Sequence, residues 1–252
     1  MIAEIITVSK EILLGEQLNS SAKYISKELS ILGIDISRST TTDYDKSKLQ
    51  SLFNEALSRS DIVIILGGLG VYKSNLTKDV VAKKFNEPLF FNQEMYLRLV
   101  NNLKAENRYN VKVTRALLTE AYVLKNSINL VCKYTTTSGF IYNSKDNKHV
   151  ICLPVENKEL ISMYLSNVKP YLMPRVSYYF ESYSFYLKHA NEVDLYNLLK
   201  QEMLKSTPKV EIEVLSDCQK VSVTCKARSK DDAKLLLDKK VLRLRALLKN
   251  FI

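Results

Sequence analysis

Asp61-Ile62-Val63-Ile64-Ile65-Leu66-Gly67-Gly68-Leu69-Gly70 decides the fold class. Its apolar run is unbroken and rich in β-branched residues, which reads as a strand buried on both faces, the kind that parallel sheets contain. The glycines that follow allow a sharp turn and a close approach of backbone to ligand. Working back toward the N-terminus, Leu49, Leu52, Phe53, Ala56 and Leu57 recur at helical spacing, and Ile34 to Thr41 is strand-like. Ser20 to Leu32 places Ala22, Ile25, Leu29 and Leu32 three or four residues apart ahead of Gly33, a natural helix stop, and Ala3 to Val8 is another β-branched run. The order βαβαβ implies right-handed crossovers and helices on both faces of a mostly parallel sheet.

Beyond the glycines, Asn92 is placed to cap a helix running to about Leu103, and Ala121 to Leu124 and Leu130 to Cys132 read as short strands. Phe140 to Tyr142, the polar turn Asn143 to Asn147, and His149 to Leu153 read as a hairpin, followed by a helix carrying Leu160, Ile161, Tyr164 and Leu165. Pro170 and Pro174 bracket a boundary between Lys169 and Arg175. After it come a strand (Val176 to Tyr186), a helix (Val193 to Leu204), strands at Val210 to Val214 and Val221 to Ala227, and a helix (Asp231 to Leu248). The expected division is an α/β domain over residues 1–170 and a small α+β domain over 171–252, sizes that suit a chain of 252 residues.

Composition narrows the function classes. With 46% hydrophobic and 25% charged residues, the chain can bury an ordinary core. The four cysteines, Cys132, Cys152, Cys218 and Cys225, form no CxxC pair, and only His149 and His189 offer imidazole, so neither a zinc site nor a disulfide framework is expected. No basic segment precedes an apolar stretch at the N-terminus, and no apolar run approaches the ~20 residues that span a bilayer. A cytoplasmic protein without a membrane partner is expected. The net charge of +10 comes mostly from lysines spread along the chain, without an aromatic-and-basic stripe, and reads as a basic surface more than a nucleic-acid site. Residues 239–249 are more basic still, but their apolar positions repeat at helical spacing, which a solvated helix face explains.

In an open parallel sheet, ligands bind beyond the carboxyl ends of the strands, which points to the loops after Val8 and Leu66. The second loop, Gly67 to Gly70, is either a tight turn or a phosphate cradle; Lys73 stands where a dinucleotide fingerprint would have a third glycine, and no phosphate loop of the Walker type occurs. The first loop brings Glu11, able to take a hydroxyl or a cation or merely to serve a helix end, and Asn19, a ligand contact or a helix cap.

Taken together, Ala3 to Val8, Glu11-Ile12-Leu13-Leu14-Gly15 with Asn19, Leu32-Gly33-Ile34-Asp35, Ser60 to Gly70 and Leu76-Thr77-Lys78 resemble the CinA family in order and spacing. The likeness continues through Ser138-Gly139-Phe140 and Ile151-Cys152-Leu153-Pro154, and the stretch Val221 to Asp238 is similar to the second domain of the same proteins. The resemblance implies a three-layer MoaB/Mog-like domain with a molybdopterin-binding-like fold, followed by the small α+β domain. It also implies a pocket formed by Lys10, Asn19, Gly67, Gly68, Gly70, Lys73, Ser74, Asn75, Thr77, Ser138 and Gly139, and a homodimer. The C-terminal amidase domain that many members carry has no counterpart here, so no deamidase activity is implied.

The sequence departs from the family where ligands bind. Ser9-Lys10 replaces Gly-Thr, Val71-Tyr72 replaces Pro-Thr after the glycines, and Ser74-Asn75 replaces a pair of aspartates. Thr135-Thr136-Thr137-Ser138 and Val155-Glu156-Asn157 also differ, and the acidic position after the second strand falls on Tyr44, between Asp43 and Asp45. Members are associated with metal-dependent hydrolysis of ADP-ribose-like pyrophosphates. Removing aspartates weakens a divalent-metal site, whereas Lys10 and Lys73 could neutralise phosphate without metal. Two readings follow: a divergent protein that binds a nucleotide or pterin-like phosphate ligand with weak or lost hydrolase activity, or an active metal-dependent ADP-ribose pyrophosphatase using Glu11 with Asp43 or Asp45. A basic nucleic-acid-associated protein is a third. The ligand stays unnamed, and a divalent metal belongs only to the hydrolase reading.

Overall fold

The structure, a computed structural model, describes residues 1–70, 76–105, 115–131, 137–176, 178–188, 191–204, 210–215 and 219–252. It divides into two compact units, one of Met1–Leu29 and Ile34–Arg175, the other of Ser30–Gly33 and Val176–Ile252.

The first unit is an α/β sandwich. Strands β1 (Ile2–Val8), β2 (Asp35–Thr42), β3 (Ile62–Gly67), β6 (Ser127–Val131), β7 (Ser138–Asn143) and β8 (His149–Leu153) form one sheet in the order β2-β1-β3-β8-β7-β6, while β4 (Leu89–Phe91) and β5 (Tyr122–Leu124) pair separately. The pairs β1 with β2, β1 with β3, and β3 with β8 are parallel; β7 runs antiparallel to β8 and β6 to β7. Every residue of β3 and β8 is buried, as their continuous apolar sequences require. Helices α1 (Lys10–Leu13), α2 (Ser20–Ile31), α3 (Lys46–Arg59), α4 (Leu76–Phe85), α5 (Gln93–Ala105) and α6 (Arg115–Glu120) connect these strands. Val8, Phe53, Val63, Ile65, Val80 and Cys152 lie in one buried apolar cluster, which fixes the strand ends that carry the loops of interest. Because β2 and β3 flank β1 on opposite sides, the connections leaving β1 and β3 diverge, and a crevice opens between them.

The expected strand at Leu130 to Cys132 is instead β6, beginning at Ser127; Cys132 lies outside the described residues. A tight turn at Lys125-Asn126, with Asn126 at φ 61°, starts β6 directly after β5, and its edge position leaves Ile128 exposed, which hides the apolar signal. Strand β4 was not expected from the sequence. After β8 the chain runs through α7 (Asn157–Met163), a π-helical turn (Tyr164–Val168), α8 (Lys169–Leu172) and a 3-10 turn (Met173–Arg175). Pro170 therefore lies inside a continuous helical run, directly after the π-helical turn, and the first unit extends to Arg175.

In the second unit, β9 (Tyr179–Tyr186), β10 (Val210–Leu215) and β11 (Lys220–Ala227) form an antiparallel sheet in the order β10-β11-β9, with α9 (Glu192–Leu204) and α10 (Lys230–Leu247). Val221, Val223, Cys225 and Ala227 alternate inward along β11. The basic tail is the polar face of α10: Ala233, Leu237 and Leu244 point inward, and Lys240 and Arg243 bind the buried Glu202 carboxylate at 2.9 and 2.7 Å. None of the described helices is long and apolar enough to cross a membrane.

Candidate functional site

The parallel register sets Val8 beside Gly67, so the loops leaving β1 and β3 start level with each other. Between them is a cavity of about 340 Å³, lined by Glu11 and Tyr44 on one side and Gly67, Gly68, Leu69 and Gly70 on another, with Thr137, Val155 and Glu156 completing its wall.

The glycine loop has a definite local logic. Gly67, Gly68 and Gly70 have φ values of 91°, 64° and 105°, a region that favours glycine. A Cβ on Gly67 would stand 2.5 Å from the Val8 carbonyl oxygen, and one on Gly68 would stand 2.4 Å from Thr77 Oγ1. Buried Thr77, in the first turn of α4, holds the loop from behind: its hydroxyl donates to the Gly67 carbonyl at 2.8 Å and its N–H to the Gly68 carbonyl at 3.1 Å. A trans peptide points its N–H opposite to its C=O, and no cis bond occurs among the described residues. Turning these two carbonyls onto Thr77 therefore turns the N–H groups of Gly68 and Leu69 away from it.

The facing wall is polar and acidic. Ser9 caps α1, accepting from the Ile12 N–H at 3.3 Å, and donates its hydroxyl to Glu11 Oε2 at 2.9 Å; Tyr44 Oη donates to the same oxygen at 3.1 Å. Burial, then the hydrogen bond to Glu11 and the charges of Glu11 and Glu156, raise the Tyr44 phenol above its usual range, which keeps it a protonated donor. The loop after β8 is tied to the start of α2: the Val155 carbonyl accepts from Ser21 Oγ, Asn157 Oδ1 lies 2.8 Å from that hydroxyl, and Asn157 Nδ2 donates to Ser20 Oγ at 2.7 Å.

Of the residues singled out from sequence, Glu11, Gly67, Gly68 and Gly70 come together on this cavity. Asn19 caps α2, accepting from the Ala22 N–H at 3.1 Å and donating to Thr7 Oγ1 at 3.0 Å, so it supports the loop from beneath. Lys10 is exposed on α1 and is not a lining residue. Thr77 acts through the glycine loop. Ser138 is buried at the start of β7, and Gly139 packs so closely that a Cβ would stand 2.5 Å from the Cys152 carbonyl oxygen; Thr137 reaches the cavity instead. Lys73, Ser74 and Asn75 lie outside the described residues. Asp45 caps α3, accepting from the N–H groups of Ser47 and Lys48 at 2.8 and 3.0 Å, and Asp43 pairs with Lys48 at 2.9 Å, which holds its carboxyl below the usual range. Neither aspartate lines the cavity; Tyr44 between them does. The sequence reading missed Tyr44, Thr137, Val155 and Glu156 as wall residues. Its only signal was that each stands at or beside a departure from the family pattern.

A divalent metal requires several hard oxygen ligands. Among the described residues, no group of three or more His, Cys, Asp or Glu side chains could hold a metal ion.

Comparison with known proteins agrees with this architecture. Residues 4–174 match the family described as "Probable molybdopterin binding domain". A CinA-like protein from Kosmotoga olearia is 37% identical over 173 residues, 69% of this chain and 41% of that protein. Another, from Dictyoglomus turgidum, is 30% identical over 258 aligned positions, covering 100% of this chain and 61% of that protein. The matches thus span 41% and 61% of these curated relatives, less than two thirds of each. A solved structure of the protein CinA, of unknown function, from Thermoplasma acidophilum superposes with a TM-score of 0.59 at 26% identity, covering 68% of this chain and 98% of that one.

Proposed function

This chain belongs to the probable molybdopterin binding domain family, and on that premise we propose that its glycine-loop cavity binds a phosphate-bearing small molecule of nucleotide or pterin type, with metal-dependent hydrolysis weak or lost. The observation that carries the reading is the anchoring of the Gly67 and Gly68 carbonyls on Thr77, which presents backbone N–H donors on the other side of the loop. Donors of this kind suit phosphate oxygens, and the glycines let the ligand come close. The loss of hydrolysis rests on the donor set: Asp43 and Asp45 are engaged with Lys48 and a helix end.

Thermal unfolding in the presence of ADP-ribose, AMP or inorganic pyrophosphate tests the binding. A ligand specific for the folded state raises stability with the logarithm of its concentration over Kd. At least one of the three should do so, and Gly70→Ala should weaken the effect at least about tenfold. A Cβ at position 70 meets Thr137 Oγ1 at an ordinary 3.5 Å, so the cost is confined to a φ of 105°, about 1–2 kcal/mol. No shift with any probe overturns the reading. A homodimer is part of the same proposal, and light scattering that finds a single 28.9 kDa species at all concentrations removes it.

A further inference from the structure

We propose that Glu156 makes this cavity selective for ligands that carry hydrogen-bond donors, hydroxyl or amino groups, at the end remote from the phosphate, and against ligands with a second anionic group there. The proposal rests on the phosphate reading above and adds what the other end of the ligand must be.

Glu156 stands at the cap position of α7, where a side chain ordinarily accepts from the first free N–H groups of its helix, yet it makes no capping hydrogen bond. Glu156 is an exposed residue of the cavity wall. Both neighbours are fixed, Val155 through its carbonyl on Ser21 and Asn157 through its side chain on Ser20 and Ser21, so the position of Glu156 is set by the fold. Glu11, Tyr44 and Glu156 line the same cavity, and the charges of both carboxylates help to raise the Tyr44 phenol. No lysine or arginine is among the described residues lining the cavity.

The cavity therefore has two chemically opposite sides. Among its described residues the glycine loop carries backbone N–H groups and no side-chain charge, whereas Glu11, Tyr44 and Glu156 supply acceptors. A ligand anchored by its phosphate on the loop meets that acceptor side with its other end: hydroxyl or amino hydrogens are accepted, whereas a second phosphate meets like charge in a partly desolvated pocket and is rejected. Specificity built by repulsion needs only one such residue, and Glu156 is the exposed carboxylate on the wall that the fold does not use elsewhere.

AMP and adenosine 3′,5′-bisphosphate form the matched probe pair, since they differ only by a phosphate replacing one hydroxyl of the ribose diol. Calorimetric Kd values are compared for the native chain, Glu156→Gln and Glu156→Lys; the side chain is exposed, and circular dichroism verifies folding. The native chain should prefer AMP by at least about tenfold, Glu156→Gln should bring the two ligands to within about threefold, and Glu156→Lys should favour the bisphosphate. If AMP binds but neither variant moves the ratio, the assignment of Glu156 is overturned while the phosphate reading stands. If the native chain binds neither probe while ADP-ribose or pyrophosphate still stabilises it, the assignment of Glu156 is overturned and the phosphate reading stands; if none of these ligands binds, both are overturned.

Discussion

The two ends of the parallel sheet treat charge differently. At the amino ends, polar groups are consumed by the fold. Buried Glu4 is held by Arg59 Nε and Nη2 at 2.5 and 2.9 Å and by Ser60 Oγ at 3.0 Å, Asp61 accepts from the Ile2 N–H at 2.9 Å, and His149 Nδ1 lies 2.8 Å from the Tyr171 hydroxyl. A depression of about 350 Å³ exists there too, lined by Asp61, Asn147, His149 and Arg175, but Asp61 and His149 have partners within the protein. At the carboxyl ends, the glycine loop and Glu156 face a cavity of similar size. Volume is nearly equal at the two ends, so the commitment of the polar groups distinguishes a candidate site from a surface dip.

The largest effect expected from breaking this contrast lies one residue beyond Thr77. Lys78 and Glu120 form a buried pair, Nζ to Oε2 3.7 Å, whose carboxylate oxygens have no hydrogen-bond partner among the described residues, and burial lowers the lysine below its usual range. Lys78→Met strands a buried carboxylate and should cost about 3–5 kcal/mol in urea unfolding, while Lys78→Met with Glu120→Leu should recover most of it. A single variant as stable as the native chain would remove any structural role for the pair.

At the amino end, Glu4→Ala should cost about 2 kcal/mol and leave ligand affinity unchanged. Arg59 holds the Glu4 carboxyl below its usual value. Its folded pKa is thus lower than its unfolded one, so the stabilisation is complete above the unfolded value and is lost as pH falls through the folded value. Between about pH 5 and pH 3 the native chain should therefore lose more stability than Glu4→Gln; parallel curves would contradict the pairing.

The smallest stability change belongs to the open end. Glu11→Gln should stay within about 1 kcal/mol of native, yet weaken AMP binding at least about tenfold, because the oxygen that organises Ser9 and Tyr44 is altered. A large loss of stability with unchanged affinity would reverse the contrast between the two ends.

How much of this was legible in the sequence follows from what is local. Strands β1 and β3 and helix α3 announce themselves because burial imposes their periodicity on consecutive residues, and the tight positive-φ turns of the glycine loop demand glycine. Edge strand β6, with Ile128 exposed and Asn129 in its middle, carries no such pattern. The cavity wall was only half legible. Tyr44 follows β2, Thr137 precedes β7 and Glu156 follows β8, so they meet only through the pairing of the sheet in the order β2-β1-β3-β8-β7. Asp43 and Asp45 had the right chemistry in the right segment, but a helix cap and a lysine claim them. Composition could not foresee that competition.

Binding without ordinary turnover is tested in one sample by ADP-ribose with a divalent cation, when calorimetric binding and AMP release are measured together. Saturable binding is expected, with AMP release far below the 1–10³ s⁻¹ that is roughly ordinary for enzymes. Turnover within that range, or no binding at all, would contradict it.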